Sequence, residues 1–107
     1  MKVIFLPEVI NYIDELGYTL YKKEYFGFLE SAIDFVDRFT NDIENSIHTK
    51  LKKPVPKRFI KYGTHYATFK TSKRTTWYIF FFKQDDRYII GYITNNHVSA
   101  HHIRGLR

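Results

Sequence analysis

The sequence predicts an α+β fold in which a short strand and two helices precede an antiparallel sheet. Apolar residues follow helical spacing up to about residue 47, and two-residue alternation dominates after residue 58. A proline-containing segment separates the two patterns. The chain has 107 residues, 44% of them hydrophobic, which suits one compact domain with a real core. We therefore expect a single domain over residues 1–107 whose sheet packs on its helices.

The first half of the chain predicts a short strand and two helices. Residues 2–6 are β-like and end at Pro7, which is favourable in the first turn of a helix. Helical spacing continues to Gly17, where we expect this helix to end. A longer helix is predicted from Glu24 to about Ile47, because apolar residues recur there in steps of three and four. They are Tyr25, Phe28, Leu29, Ala32, Val36, Phe39, Ile43 and Ile47.

The second half predicts a basic connector followed by antiparallel strands. Residues 48–58 contain two prolines, which favour an extended chain over a helix or a central strand. One or two strands are predicted within residues 59–70, with a turn at 63–64. A strong hairpin follows, with strands at 75–83 and 88–95 and turns at 71–74 and 84–87.

Side-chain alternation divides the predicted sheet into two faces. The more apolar face is expected to cover the long helix, and it comprises Ala67, Phe69, Trp77, Ile79, Phe81, Ile89, Gly91 and Ile93. The other face is rich in tyrosine and is expected to meet solvent or a ligand. It comprises Tyr66, Thr68, Lys70, Tyr78, Phe80, Tyr88, Tyr92 and Thr94.

Charge is segregated along the chain. Residues 1–49 carry nine acids and four bases, whereas residues 50–107 carry thirteen bases and two acids. A basic half that is also aromatic favours a polyanion or an acidic protein as partner. The alternative is a solvated basic surface without a ligand.

Composition excludes several classes of function. The chain has no cysteine, which rules out disulfides, thiolate zinc sites and a cysteine nucleophile. The N-terminus reaches Glu8 too soon for a signal peptide, and no apolar run approaches the length of a bilayer span. We expect a soluble cytoplasmic protein that does not act at a membrane.

Two segments carry a family resemblance. RTTWYIFFFKQDDRYIIGYITNNH (residues 74–97) looks like the closing hairpin of the RelE/ParE toxin superfamily, and KLKKPVPKRF (residues 50–59) resembles its basic segment leading into the sheet. With the strand–helix–helix–meander order, the resemblance covers nearly the whole chain and is greatest to an uncharacterised bacterial RelE/ParE-like subgroup. It implies a RelE/ParE-like fold and the toxin of a type II toxin–antitoxin system, with its link to plasmid stabilisation, neutralised by a cognate antitoxin protein.

The resemblance leaves the activity open between two branches. RelE-like members cut messenger RNA in the ribosome, and ParE-like members poison DNA gyrase without cleaving RNA. We expect a ribosome-associated mRNA endoribonuclease that needs no cofactor, with a gyrase poison or a non-toxic basic interaction module as alternatives. The chain departs from the RelE-like pattern at two places, and the first of them, a missing arginine, favours the alternatives. Tyr78 follows Trp77 where RelE-like enzymes have arginine after the strand tyrosine, and the last strand ends in Asn96-His97-Val98 rather than His-Arg.

RNA cleavage through the ribose 2′-hydroxyl requires an acid, a base and fixed cations near the phosphate. His97 is the candidate acid or base, because imidazole changes charge near neutral pH. Lys70 and Arg74 are the candidate phosphate stabilisers, and Tyr78 is the candidate orienting residue. The alternative is that the two cations are solvated turn residues and the tyrosine packs. Three further bases are expected to extend the RNA-binding track, namely Lys57, Arg58 and Lys61.

The histidines near the C-terminus favour a metal site less strongly than a loose chain end. His97 and His101 are four residues apart, which suits a metal pair on one helical turn. No carboxylate follows Asp86, so a third ligand would have to be His65 or come from elsewhere. We expect no metal, and we expect His101 and His102 to lie in a C-terminal turn.

Three polar or aromatic residues close to the candidate site have structural roles in this interpretation. Asn95 and Asn96 are expected to end the last strand, since asparagine bonds its own backbone, and one amide is available to orient His97. Trp77 is expected to pack in the core rather than to stack on a base.

Overall fold

The computed structural model describes residues 1–97, which belong to two compact units. The helical unit comprises residues 7–49, and the sheet unit comprises residues 1–6 together with the chain from residue 50. The described elements are β1 (Lys2–Phe5), α1 (Pro7–Lys22), α2 (Leu29–Ser46), β2 (Lys53–Pro54), β3 (His65–Lys70), β4 (Thr76–Gln84) and β5 (Arg87–Asn95). Short 3₁₀ turns lie at Ile47–Thr49 and Lys57–Phe59. The predicted α+β class is confirmed, as is the order of strand, two helices and further strands.

Helix α1 continues past its predicted end. It begins at Pro7 with Glu8 in its first turn, and it runs through Gly17 to Lys22. The glycine is buried, and a Cβ on it would lie 3.2 Å from the Ile33 Cγ1 atom of α2. The predicted stop at Gly17 is wrong because this glycine allows close helix packing instead of ending the helix.

Helix α2 begins five residues later than predicted. Glu24 has a φ of 62°, a left-handed conformation that a helix does not continue through, and residues 23–28 connect the two helices. Tyr25 and Phe28 therefore lie in the connection and are exposed, although their spacing matched the helical pattern. Four residues of the predicted stripe are buried on α2, namely Ala32, Val36, Phe39 and Ile43. Ile47 is buried in the 3₁₀ turn that follows, and Leu29 is half-buried.

The N-terminus of α2 lacks a side-chain cap, and correcting this is expected to stabilise the protein. Phe28 occupies the N-cap position with φ −133° and ψ 141°, and its ring is 74% exposed. We expect Phe28→Asp to raise the free energy of unfolding by about 1 kcal/mol, because the carboxylate would accept hydrogen bonds from the first turn. Thermal denaturation measures the effect, with Phe28→Ala as the control. An aspartate variant no more stable than the alanine variant would contradict it.

The strands form one mixed sheet in the order β1-β5-β4-β3-β2. Strand β1 pairs in parallel with β5, while β2, β3, β4 and β5 are joined by antiparallel pairs. The predicted meander and its Asp85-Asp86 turn are confirmed. Of the one or two strands predicted within residues 59–70, one forms as β3, and residues 59–62 form a turn instead of a strand. Tyr62 N–H donates to the Phe59 carbonyl, and this tight turn places the two rings on the same side, which a strand cannot do three residues apart.

A β-bulge at Gly91 changes which residues of β5 share a face. Phe80 pairs with Tyr92, but Phe81 pairs with Ile90, so Gly91 has no partner on β4. Between Gly91 and the turn that joins β4 to β5, the β5 side chains alternate one residue out of step with the prediction. Tyr88, not Ile89, therefore lies on the Trp77 face, where its ring centroid is 5.5 Å from that of Phe81. The predicted faces of Tyr88 and Ile89 are wrong for this reason.

The tyrosine-rich face of the sheet is covered, which overturns the prediction that it meets solvent or a ligand. Phe80 is fully buried, and Tyr66 and Tyr78 are nearly so. The chain between β2 and β3 (residues 55–64), called the connector from here on, lies across this face and buries these rings. We call the resulting cluster the connector core; it comprises Phe59, Tyr66, Tyr78 and Phe80, with Val55, Tyr62 and Tyr92 packed against it. The opposite, Trp77-containing face is also buried, and its contact with the helices stays a prediction.

Candidate nucleic-acid interface

One end of the sheet joins the β3–β4 loop to the last residues of β5. We call this end the rim, and it comprises Lys70, the loop residues 71–75 and residues 95–97. Asn96 lies beside Thr76, the first residue of β4. Its backbone N–H donates to the Thr76 carbonyl (3.1 Å), and its side-chain Oδ1 accepts from the Thr76 N–H (3.0 Å). The end of β5 is therefore fixed against the start of β4.

Side-chain hydrogen bonds also tie the loop to the end of β5. The Asn96 Nδ2 donates to the Arg74 carbonyl at 2.9 Å, and the Thr75 hydroxyl lies 2.9 Å from His97 Nε2. The Asn95 Oδ1 accepts from the His97 N–H at 2.9 Å, a local bond by which asparagine ends a strand. The two asparagines thus act as predicted at the strand end, and they also hold the loop.

The start of the loop is anchored from the core. The Trp77 indole donates to the Thr71 hydroxyl at 3.1 Å, while its ring is 1% exposed. A buried indole N–H needs a partner, and the loop provides one. This agrees with the packing role expected for Trp77 and adds a second role in positioning the loop.

Three predicted site residues lie at the rim, at one end of the sheet. Lys70 ends β3, Arg74 lies in the loop, and His97 follows β5; all three side chains are exposed. The Thr75 hydroxyl can donate to a neutral imidazole and accept from a protonated one. This hydrogen bond can therefore position the ring whichever of the two partners donates.

Tyr78, the candidate orienting residue, is buried inside the sheet and does not lie at the exposed rim. It pairs with Thr68, two residues from Lys70, and with Thr94, one residue from Asn95, and its ring centroid is 6.2 Å from that of Tyr66. Burial, together with the neighbouring Tyr66, raises the pKa of Tyr78 above its usual value of 10.0. The phenol therefore stays protonated near neutral pH, where it can donate a hydrogen bond but does not act as a base.

The basic residues predicted to bind RNA lie on the turn that covers the connector core. Lys57, Arg58 and Lys61 are all exposed. The Arg58 guanidinium lies 5.1 Å from the Phe59 ring centroid, and the Lys61 Nζ lies 5.0 Å from that of Tyr62. Contacts of this kind hold a cation over a ring while leaving its outer side available to solvent or phosphate.

These bases and Lys70 lie on the same side of the sheet. Phe59 packs on Phe80, with ring centroids 5.2 Å apart, and Phe80 is four residues along β4 from Thr76 at the rim. At about 3.3 Å per residue the two levels are about 13 Å apart. One short oligonucleotide can therefore contact Lys70 as well as the basic residues of the connector.

Two residues that sequence reasoning missed also belong to this region. Thr75 contacts His97, but the two are separated by 22 residues and no motif links them. Lys53 lies on β2 with its Nζ 5.9 Å from the Tyr66 ring centroid, on the side of the connector core. Because β2 has two residues, no alternation pattern was long enough to reveal it.

The described residues contain no group of three or more histidines or carboxylates placed to hold a metal ion. The Nδ1 atom of His65, the candidate third metal ligand, is 2.9 Å from the Thr64 hydroxyl. The His65 ring also stacks on Phe81, with ring centroids 6.0 Å apart. His101 and His102 lie outside the described residues.

Comparisons with known proteins identify no relative. No protein-family model matches the chain, and neither the curated proteins nor the solved structures contain a match. Within residues 1–97, neither helix combines the length and the apolar character that crossing a bilayer requires. The function is therefore argued from the rim, from the basic residues Lys57, Arg58 and Lys61, and from the resemblance in the sequence.

Proposed function

We propose that this protein is the toxin of a type II toxin–antitoxin pair, with a RelE/ParE-like fold, and that it cleaves messenger RNA on the ribosome. The observation that carries the proposal is the rim, where His97 lies at the same exposed sheet end as Lys70 and Arg74. The element order supports it, because the resemblance implied a strand, two helices and then an antiparallel meander.

The proposed reaction is attack by a ribose 2′-hydroxyl on the adjacent phosphorus. The new 2′-O–P bond forms, the P–O5′ bond breaks, and the products are a 2′,3′-cyclic phosphate and a 5′-hydroxyl. His97 removes the proton from the attacking hydroxyl while water protonates the leaving oxygen, or it protonates the leaving oxygen while water takes the proton of the hydroxyl. Lys70 and Arg74 stabilise the negative charge that develops on the phosphate oxygens. Tyr78 has no proton-transfer role here and instead supports the rim by packing.

Binding of the RNA strand is assigned to the connector. Lys57, Arg58 and Lys61 neutralise phosphates of the strand whose scissile phosphate lies at the rim, so the strand is held by several contacts. A cytoplasmic location and neutralisation by a cognate antitoxin belong to the same proposal.

A second candidate is a non-catalytic gyrase poison. The described rim residues include one histidine, His97, and no carboxylate, whereas general acid–base cleavage uses two proton-transferring groups. The burial of Tyr78 removes the obvious second group. The same basic surface would then bind protein without reacting.

Induced expression in a bacterial host distinguishes these functions. The gene is placed under a tightly repressed promoter, and incorporation of labelled methionine and thymidine is followed after induction. Early loss of methionine incorporation, with new 5′-hydroxyl ends in ribosome-bound messages, supports the ribonuclease. Early loss of thymidine incorporation indicates the gyrase poison. Normal growth with both labels unaffected would reject both toxins and leave the basic interaction module.

Rim variants test the assigned roles. We expect His97→Ala and Arg74→Ala to lower the cleavage rate by about 10²-fold or more, because each removes a group used at the reacting phosphate. His97→Gln can keep a hydrogen bond to Thr75 and is expected to remain as inactive as His97→Ala. The matched controls are His48→Ala and Arg87→Ala, both exposed and outside the rim. Full activity in His97→Gln would show that His97 positions the loop and transfers no proton.

A further inference from the structure

The helical unit exposes apolar side chains beside the contact between its two helices. Gly17 of α1 meets Ile33 of α2, and Ile33 is 40% exposed. On α1, Ile10, Tyr18 and Tyr21 are 47%, 53% and 41% exposed. Tyr18 is eight residues after Ile10, and Tyr21 follows three residues later. On a helix this spacing places the three side chains on one side of α1, beside Gly17. We call Ile10, Tyr18, Tyr21 and Ile33 the seam patch.

The seam patch is additional to the buried stripe of the unit. Helix α1 already buries Val9, Leu16 and Leu20, as an amphipathic helix does. Isolated exposed apolar residues are ordinary, but several grouped on one helix pair indicate an interaction surface. Tyrosine is also among the residues enriched where proteins bind each other.

The charge around the seam patch indicates the chemistry of the partner. Residues 7–49 contain nine acids and three bases, and all nine acids are exposed. Asp14 lies in the same stripe as Ile10 and Tyr18, and Asp37 is one turn from Ile33. Such a surface repels phosphates and acidic peptides, and it attracts lysine and arginine.

We propose that the seam patch binds a basic amphipathic helix of another protein. The apolar face of that helix lies on the four patch residues, along the contact between α1 and α2, and its basic side chains meet Asp14 and Asp37. This interaction goes beyond the proposed toxin activity, since no residue of the candidate nucleic-acid interface belongs to the helical unit.

Two synthetic peptides provide the probes. Both have 18 residues with leucine at the same helical positions, and the remaining positions are lysine in one peptide and glutamate in the other. Fluorescence anisotropy with the labelled peptides and the full chain measures binding. The leucine/lysine peptide is expected to bind at the seam patch, more weakly as salt is raised. Any binding of the leucine/glutamate peptide is expected at the basic residues Lys57, Arg58 and Lys61, where the patch variants leave it unchanged. A leucine/lysine peptide that does not bind would overturn the proposal.

Patch variants show whether the binding is at the seam. Tyr18→Ser is expected to weaken binding of the leucine/lysine peptide by about tenfold or more. Asp14→Lys is expected to weaken it, whereas Asp42→Lys makes the same change in net charge and is expected to retain it. Asp42 is exposed and lies nine residues from Ile33, on the opposite side of α2. Equal losses in the two lysine variants would show non-specific charge attraction and refute the site.

Sedimentation of the protein alone tests a competing occupant, a second copy of the chain. Self-association that Tyr18→Ser abolishes would assign the patch to that second copy and overturn the proposal; a monomer at the concentrations of the peptide experiment supports it. Unchanged thermal denaturation of the variants shows that they remain folded. Because these measurements use no RNA and no cells, they succeed or fail independently of the toxin assays.

Discussion

Gly91→Ala is expected to lower the free energy of unfolding by about 3 kcal/mol. A Cβ at this position would overlap the carbonyl oxygen of Tyr62, and it would also lie 3.3 Å from the Phe82 ring. The first of these contacts is with backbone, which cannot rotate away as a side chain can. Accommodating a methyl group therefore requires the connector to move off β5, where Tyr62 stacks on Tyr92 with ring centroids 4.1 Å apart.

Urea denaturation followed by circular dichroism measures this effect, and Gly27→Ala is the matched control. A Cβ at Gly27 meets no atom within 4 Å, so the same substitution there is expected to be neutral or to stabilise by about 0.5 kcal/mol. A Gly91 variant as stable as the Gly27 variant would show that the connector does not lie against the bulge.

Phe80→Ala is expected to cost about 3–5 kcal/mol of unfolding free energy. Its ring is fully buried at the centre of the connector core. Four aromatic rings surround it, with centroids at 5.2 Å (Phe59), 5.7 Å (Tyr92), 5.9 Å (Tyr66) and 6.2 Å (Tyr62). Removing the ring loses its burial and leaves a cavity that the β4 backbone cannot close.

The control for Phe80 lies on the same strand and the same face. Phe82 is two residues along β4 and partly exposed, so Phe82→Ala is expected to cost less than half as much as Phe80→Ala. Chemical denaturation gives both values. Similar small losses for the two variants would mean that the tyrosine-rich face is open to solvent, as alternation alone had suggested.

Local periodicity predicted which side of a helix is buried, but it did not predict the role of a single glycine within a helix. The spacing of Ala32, Val36, Phe39 and Ile43 predicted the buried side of α2, since helix geometry is set by the chain itself. Gly17 was misinterpreted because a helix end and a close helix contact both favour glycine. Only the neighbouring Ile33 distinguishes them, and it is distant in sequence.

The candidate site was predictable in part. Lys70, Arg74 and His97 were selected by residue type, and antiparallel pairing of β3, β4 and β5 was enough to bring them to one end of the sheet. The bonds from Asn96 to Arg74 and between Thr75 and His97 were not predictable, because they join residues 22 apart whose contact depends on the register of β4 and β5. The burial of Tyr78 depends on where the connector lies.

The sequence alone determined the α+β class, the order of elements, the segregation of charge and the residue types available for chemistry. These follow from patterns within a few residues, where the backbone periods of 3.6 and 2 act directly. Tertiary structure decided which face of the sheet is covered, on which side of the bulge Tyr88 lies, and which side chains hold the rim. These depend on contacts between distant segments, and several packings satisfy the same local pattern until the rings of the connector and the backbone at Gly91 meet.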